Sequence, residues 1–433
     1  MQYIPNILFL VILIFGIGYF TKNIRKIIRN IKLGQAVDAS DNKGQRWNNV
    51  IRIALGQSKM VVRPIPGLLH LIVYLGFIII NIEVLEIIID GIFGTHRIFS
   101  SLGGFYGFLI ASFEILAVLV FVSVIVFWVR RNIIRLKRFW NPEMKGWPKN
   151  DGNFILYFEM VLMTLFLIMN ATDVHFQEMN NGNIISKHIA GWMSGTPEST
   201  LHIIERAAWW LHILGILIFL NYLYFSKHLH IILAFPNVYF GRVTPKGKFA
   251  NLESVTNEVK LMMDPTADPY AAPPEGAETP AKFGASDVMD LTTTQLLNAY
   301  TCTECGRCTS ECPANQTGKK LSPRKIMMDT RDRLEEVGKN VDKNGEFQPD
   351  GKQLLDDFIS REELWACTTC NACVEACPVS IDPLSIIMSM RQYLVMEQSA
   401  APNELNITMT NIENNAAPWP FNQMDRANWI NES

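Results

Sequence analysis

LWACTTCNACVEACPVS, residues 364–380, sets Cys367, Cys370, Cys373 and Cys377 in the pattern C-x2-C-x2-C-x3-C-P. An earlier stretch, YTCTECGRCTSECPAN at 300–315, repeats it with Cys302, Cys305, Cys308 and Cys312. The offset is the same from Cys302 to Cys367 as from Cys312 to Cys377, so the two runs read as a duplicated binding unit. These eight are all the cysteines of the 433-residue chain. None is left for a structural disulfide, and the pattern belongs to a reducing compartment. Three thiolates at two-residue gaps wrap one cuboidal cluster, and the fourth, set before a proline that turns the chain away, ligates the other. Cys302, Cys305, Cys308 and Cys377 are therefore expected to hold one 4Fe-4S cluster, and Cys367, Cys370, Cys373 and Cys312 a second. Zinc takes four ligands, usually as two separated pairs, which leaves the third close cysteine and the proline unexplained.

The rest of the chain divides by hydropathy. Half of it is apolar and only 18% charged, with the apolar residues gathered in the first 235 positions, so a membrane part precedes a soluble part. A net charge of -2 gives no basic surface for nucleic acid. Five runs reach the roughly 20 residues needed to cross a bilayer: Tyr3 to Phe20, Ile65 to Phe93, Phe105 to Val129, Phe154 to Thr172 and Ala207 to Phe225. The first run has no basic residue before it and Lys22, Arg25, Lys26, Arg29 and Lys32 after it, which reads as a retained span rather than a signal peptide. Arg130, Arg131, Arg135, Lys137 and Arg138 follow the third span. Both loops therefore face the cytoplasm, the N-terminus lies outside, and the cysteine domain is cytoplasmic, on a multi-pass plasma (inner) membrane protein.

Past the spans, 236–286 reads as a linker, rich in Pro, Ala and Gly from Asp264 onward. Residues 287–397 form the cluster domain. Helix starts recur there at Ser322–Pro323, at the Ser360/Glu363 capping box and at Asp382–Pro383. The polar, Gly-rich GKNVDKNGEFQPDGK (338–352) reads as an exposed loop, and 398–433 as an extended tail. The fold class expected is all-α: a five-span helical bundle followed by a helical domain with two 4Fe-4S clusters.

The segment CTECGRCTSECPANQTGKKLSPRKIMM (302–328) resembles the helical two-cluster ferredoxin domains of the heterodisulfide reductase family, shared with the iron-sulfur subunits of glycolate oxidase and anaerobic glycerol-3-phosphate dehydrogenase. NIENNAAPWPFNQMDRANWI (411–430) is similar to a segment those proteins carry before a cysteine-rich domain. The resemblance implies work with a separate cysteine-rich redox subunit or dehydrogenase, with the tail around Trp419 and Trp429 as the docking surface. The five spans resemble the membrane subunit of heterodisulfide reductase and the gamma subunit of respiratory nitrate reductase, whose second and fifth spans hold haem b between histidines and take electrons from quinol.

Carried onto this chain, that likeness points to His70 at the cytoplasmic start of span two and His230 at the end of span five, with His228 as the alternative. His212 and His230 share a face if span five continues unbroken. Where two-haem relatives place another histidine this chain has Asn81, which argues against a second haem. Carboxylates in spans are costly and kept for function or held neutral. Glu83, Glu86 and Asp90 recur on one face of span two, and with Glu114 and His212 they fall in the outer half. Glu83, Glu86, Glu114 and His212 are thus the quinone-site candidates, a carboxylate being a natural proton acceptor. Glu159 reads as structural, and His96, His175, His188 and His202 as surface residues. The function expected is a membrane electron-transfer subunit of an oxidoreductase, linking the quinone pool to a cytoplasmic partner through two 4Fe-4S clusters and a haem b. The alternative is a haem-free anchor that holds the ferredoxin module beside a partner enzyme. A transporter fits poorly, since no span is interrupted by paired Gly or Pro.

Overall fold

Apolar length decides the first half of the computed structural model, which describes residues 3–245, 247–248, 251–266 and 282–431. Five helices are long and apolar enough to cross a membrane: α1 (Ile4–Ile31), α2 (Pro64–Phe93), α3 (Gly104–Asn132), α4 (Trp147–Thr172) and α5 (Glu198–Tyr222). Proline sits in the first turn of α1, α2 and α4, where a missing N–H has no intrahelical partner to lose. In the bundle α1 packs between α2 and α5, and α2 on α3, α3 on α4 and α4 on α5 complete the ring. Its core is Phe113, Ala117, Val120, Phe166 and Ile213. Lipid-facing residues such as Phe15, Phe77 and Phe108 stay exposed, as expected where the surrounding solvent is hydrocarbon.

Span five does not run on to His230. Helix α5 stops at Tyr222, two 3-10 turns follow, and α6 (His230–Phe240) starts at the histidine itself. The expected unbroken helix from His212 to His230 is therefore corrected. The reason is local: Ser226 is extended, and its hydroxyl accepts from the His228 N–H, which caps a new turn. The expected linker 236–286 contains the end of α6 and a helix, α7 (Glu253–Met263); positions 246, 249–250 and 267–281 of it lie outside the described residues.

The cluster domain is helical: α8 (Thr293–Thr301), α9 (Pro323–Asn344) and α10 (Pro383–Met396) surround Leu296, Ile326, Leu334, Leu364, Ile386 and Met390. Its core is continuous with Ile27, Ile155, Leu223 and Leu229 from the bundle. Two stretches differ from the sequence reading. Helix α9 absorbs 338–344 of the expected loop because Val337 and Val341 bury one face there. The tail folds as α11 (Asn403–Asn415) and a 3-10 turn over Gln423–Ile430 rather than lying extended. Pro402 before α11 and Ala416 in the left-handed region after it delimit the helix.

Helix α1 overshoots the bilayer. Its 28 residues span about 42 Å at 1.5 Å per residue, against a hydrocarbon core of about 30 Å. The surplus turns bury Asn23, Ile27 and Asn30. Asn30 Nδ2 donates to Tyr300 Oη at 2.9 Å, Arg29 Nη2 donates to the Gly338 carbonyl at 3.0 Å, and Lys26 and Arg29 pair with Asp342. A side chain at Gly338 would collide with the Asn30 amide, so this close approach of α1 to α9 requires glycine.

Candidate functional site

The cysteine loops repeat in backbone as well as in sequence. Helix α8, opened by a Thr292/Gln295 capping box, ends at Cys302. The loop then passes Glu304 (φ 54°) and Gly306 (φ 72°) into the short helix Arg307–Ser310, which carries Cys308. In the second loop Thr369 (φ 56°) and Asn371 (φ 60°) take the same places before the short helix Ala372–Ala376, which carries Cys373. At position 306 a side chain would also meet Arg324 Nη1 at 2.5 Å, so only glycine serves. The two short helices pack on each other.

This packing crosses the fourth cysteines over. A small cavity of about 20 Å³ is lined by Cys302, Cys305, Cys308 and Cys377, closed by Arg324, Met327 and Ile381. Cys312 stands close enough to Cys367 and Cys373 to disfavour their thiolates. All eight are free thiols. Burial pushes Cys302 and Cys373 up to about 12 and Cys377 to about 11. A dry pocket of this kind resists bare thiolates, so a cationic centre is needed to hold them. Backbone N–H groups of Thr369 and Ile381 point at the sulfurs of Cys367 and Cys377, at 3.4 and 3.3 Å. The donor set fits two iron-sulfur clusters.

The first loop sits on the bundle. Lys227, nearly buried, donates to Glu304 and to the Pro148 carbonyl (2.5 Å) and lies 3.8 Å from Asp151. Glu304 also accepts from Arg331 Nη1 at 2.8 Å. Burial raises the Glu304 carboxyl, but Lys227 and Arg331 outweigh it and hold it below the usual range. Arg307 donates to the Lys59 and Met60 carbonyls, both at 3.1 Å, just before α2. Fully buried Arg324 pairs with Glu143 at 2.7 Å.

Beside this contact stand three histidines. The His70 and His230 rings lie 6.4 Å apart, centroid to centroid, and His228 is 5.3 Å from His230. His230 Nδ1 donates to the Lys227 carbonyl at 3.1 Å, while His70 Nδ1 has no partner. Burial pushes His228 down to about 3 and lowers His230, so both are neutral imidazoles.

The four quinone candidates do not form one site. At the end of the bundle away from the clusters, a vestibule of about 590 Å³ is lined by Glu83, Glu86, Asp90, Arg97, Asp173 and Trp209, among others. Glu114 is instead engaged by the backbone N–H groups of Ile185 and Ser186, at 2.6 and 3.0 Å, where it anchors the start of the short helix Ser186–Trp192. His212 lines a separate inner cavity of about 80 Å³ with Ile80, Asn81, Glu159, Leu162 and Phe219. Phe77 and Asn81 at its edge are exposed toward lipid. Glu159, read as structural, thus faces this cavity, and His96 and His202, read as surface residues, line the vestibule. Arg97 was missed altogether. It bonds Glu83 (3.2 Å), Asp173 (3.3 Å) and Asn170 (2.7 Å) and lies 4.0 Å over the Phe176 ring. Its signal in the sequence was a basic residue in a short non-cytoplasmic loop, next to the carboxylates of span two.

Residues 301–381 match the family described as 4Fe-4S dicluster domain. Over 99% of its length the chain is 29% identical to a probable iron-sulfur-binding oxidoreductase, FadF, of Bacillus subtilis, covering 61% of that protein. It is 26% identical, over 92% of its length, to the EtfAB:quinone oxidoreductase of Syntrophomonas wolfei, covering 55% of it. The chain thus spans about three fifths of the length of these relatives. Over 34% of its length it is 33% identical to a probable membrane-anchored ferredoxin of Chromohalobacter salexigens, covering 24% of that protein. No solved structure matches.

Proposed function

We propose, from the premise that this chain joins a 4Fe-4S dicluster domain to a five-helix membrane part in the manner of iron-sulfur oxidoreductases, that it carries electrons between membrane quinone and a cytoplasmic redox partner. The observation that carries the reading is the seating of the first cluster loop on the bundle through Lys227, Glu304 and Arg307. Cys302, Cys305, Cys308 and Cys377 hold the cluster nearer the membrane, and Cys367, Cys370, Cys373 and Cys312 the one beyond it. The Syntrophomonas relative's name couples a partner, EtfAB, with quinone, and a partner of that kind suits the exposed tail at Trp419, Phe421 and Trp429. The basic loops after the first and third spans support an N-terminus outside, in a plasma-membrane protein. The likeness of the five spans to the nitrate reductase gamma subunit stays architectural.

In the leading form the bundle anchors the clusters and supplies the quinone site without haem. A haem b between His70 and His230 is the second reading, and the facing rings favour it. His70 and His230 would be the residues that hold it. The His230 contact to Lys227 fixes the tautomer and leaves Nε2 as the ligand. Such a haem would supply one further one-electron carrier.

Anaerobically purified full-length protein is expected to hold about eight iron and eight sulfide, two 4Fe-4S clusters, and its reduced clusters to be reoxidised by a membrane quinone. Iron and sulfide near zero after anaerobic reconstitution would refute the clusters. Clusters that stay reduced with quinone present would refute the quinone link. A b-type absorption band lost in His70→Ala would promote the second reading.

A further inference from the structure

The inner cavity and the vestibule lie end to end along α2. Glu83 faces the vestibule, while Ile80 and Val84 line the inner cavity. On α5 the same succession recurs, with Trp209 in the vestibule and His212 in the inner cavity. Ile80 and Glu83 on α2, and Trp209 and His212 on α5, are each three residues apart, about 4.5 Å of helix rise.

Glu83 is 1% exposed. Its Oε1 accepts from Arg97, and its Oε2 has no partner. A bare buried acceptor is costly, and the acids around it are not left so. Glu86 accepts from Phe99 N (2.8 Å) and Tyr106 Oη (3.2 Å), and Asp90 from Arg97 N (2.7 Å). Glu114 accepts from the Ile185 and Ser186 backbone. Asp173 bonds His96 Nε2 at 3.0 Å and Phe176 N at 3.1 Å. The charged and titratable groups around Glu83 are thus Glu86 and Asp90 on its own helix, Tyr106 and Glu114 from α3, His96 and Arg97 from the loop and Asp173 at the end of α4. His202 and Glu205 face it from α5 across the vestibule. Arg97 holds one oxygen of Glu83, a residue of the vestibule wall, and leaves the other without a partner.

We infer that Glu83 passes protons between the inner cavity and the vestibule, so that quinone chemistry exchanges its protons on the side of the membrane away from the clusters. The inference rests on the quinone reading above. Written as oxidation, a hydroquinone in the inner cavity breaks two O–H bonds and becomes the quinone, releasing two electrons and two protons. Each electron reduces one of the two clusters. Each proton passes to Glu83 Oε2, then to the Asp173–His96 pair and to water in the vestibule. Quinone reduction runs the same steps backwards. With electrons leaving at one end and protons at the other, turnover charges the membrane.

The test uses proteoliposomes of the full chain with a short-chain naphthohydroquinone in the bilayer, a pH dye in the lumen and impermeant ferricyanide outside, against protein-free liposomes. Ferricyanide oxidises only molecules whose clusters face outward. Wild-type protein is expected to deliver one proton to the lumen per ferricyanide reduced, two per hydroquinone. Glu83→Gln is expected to slow turnover about 100-fold, the low end for a lost proton acceptor, with KM and the cluster resonance signals unchanged, and Glu83→Asp to recover part of the rate. Protons appearing only on the ferricyanide side of wild-type vesicles would overturn the inference and leave the quinone reading standing; this arm needs no variant. Wild-type turnover and lumen acidification in Glu83→Gln would overturn it too. Absence of any hydroquinone-dependent ferricyanide reduction by wild-type protein would sink both.

Discussion

Replacing Lys227 by methionine asks how firmly charge holds the first cluster loop on the bundle. The ammonium is lost from Glu304 and the Pro148 carbonyl, all at a site where the Lys227 side chain is only 9% exposed. Removing one partner of a buried ion pair costs about 3–5 kcal/mol when the survivor is left uncompensated. Here the survivors keep company: Glu304 retains Arg331, and Asp151 retains Tyr222 Oη at 2.6 Å and the backbone N–H of residue 227 at 3.1 Å. The loss is therefore placed at the low end, about 3 kcal/mol, which at 1.4 kcal/mol per decade is roughly 100-fold in the docking equilibrium. Hydrogen exchange in nanodiscs reads this as open fraction. Segments 300–312 and 223–235 are expected to lose about 100-fold protection, while the middles of α3 and α9 keep theirs and Lys227→Arg stays near wild type. Protection within threefold of wild type in both segments, or an equal loss everywhere, would refute the reasoning.

Cys312→Ser is expected to damage chiefly the cluster of Cys367, Cys370 and Cys373; electron paramagnetic resonance showing loss of the other cluster alone would contradict the crossover. Arg333, fully buried and paired with Asp287 (2.7 Å) and Asp350 (2.6 Å), should cost about 3–5 kcal/mol when changed to methionine, read as a lower denaturation midpoint of the cluster domain. Burial pushes the Asp329 carboxyl up to about 6 from its ordinary 3.8, against the pull of Lys325 at 2.5 Å. A raised folded-state value means the contribution is full below 3.8 and lost as pH rises through about 6. Asp329→Asn, neutral throughout, is expected to flatten the fall in stability across that window in anaerobic thermal scans.

The spans were legible because a bilayer asks for apolar length and little else, and the helix starts because capping is decided within a few residues: Ser322, Ser360 and Asp382 all cap as their neighbours suggest. The close cysteine spacing showed the two loops, whose 65-residue echo extends to the left-handed positions 304 and 369. The vestibule was not legible. Glu83 and Glu114 share a depth in the sequence, yet one faces a cavity and the other an adjacent helix start, a difference set by rotation about helix axes and by the path of a loop. Helix α11 escaped notice because most of NELNITMTNIENN is exposed, with only Asn411 buried, so no apolar stripe announces it.

Helix α1 ties phase to address. Because its membrane half and its last two turns are one rigid rod, the position of Asn30 against Tyr300 and Gly338 is set by every residue upstream of it. Deleting a single residue near Gly18 would leave the hydropathy of the span intact, yet rotate Asn30 by about 100° and draw it back about 1.5 Å. Insertions and deletions in this helix are therefore tolerable to the lipid but not to the iron-sulfur domain. For the same reason that domain is not portable: grafted onto another anchor, it would leave behind the two turns of α1 that complete its own core.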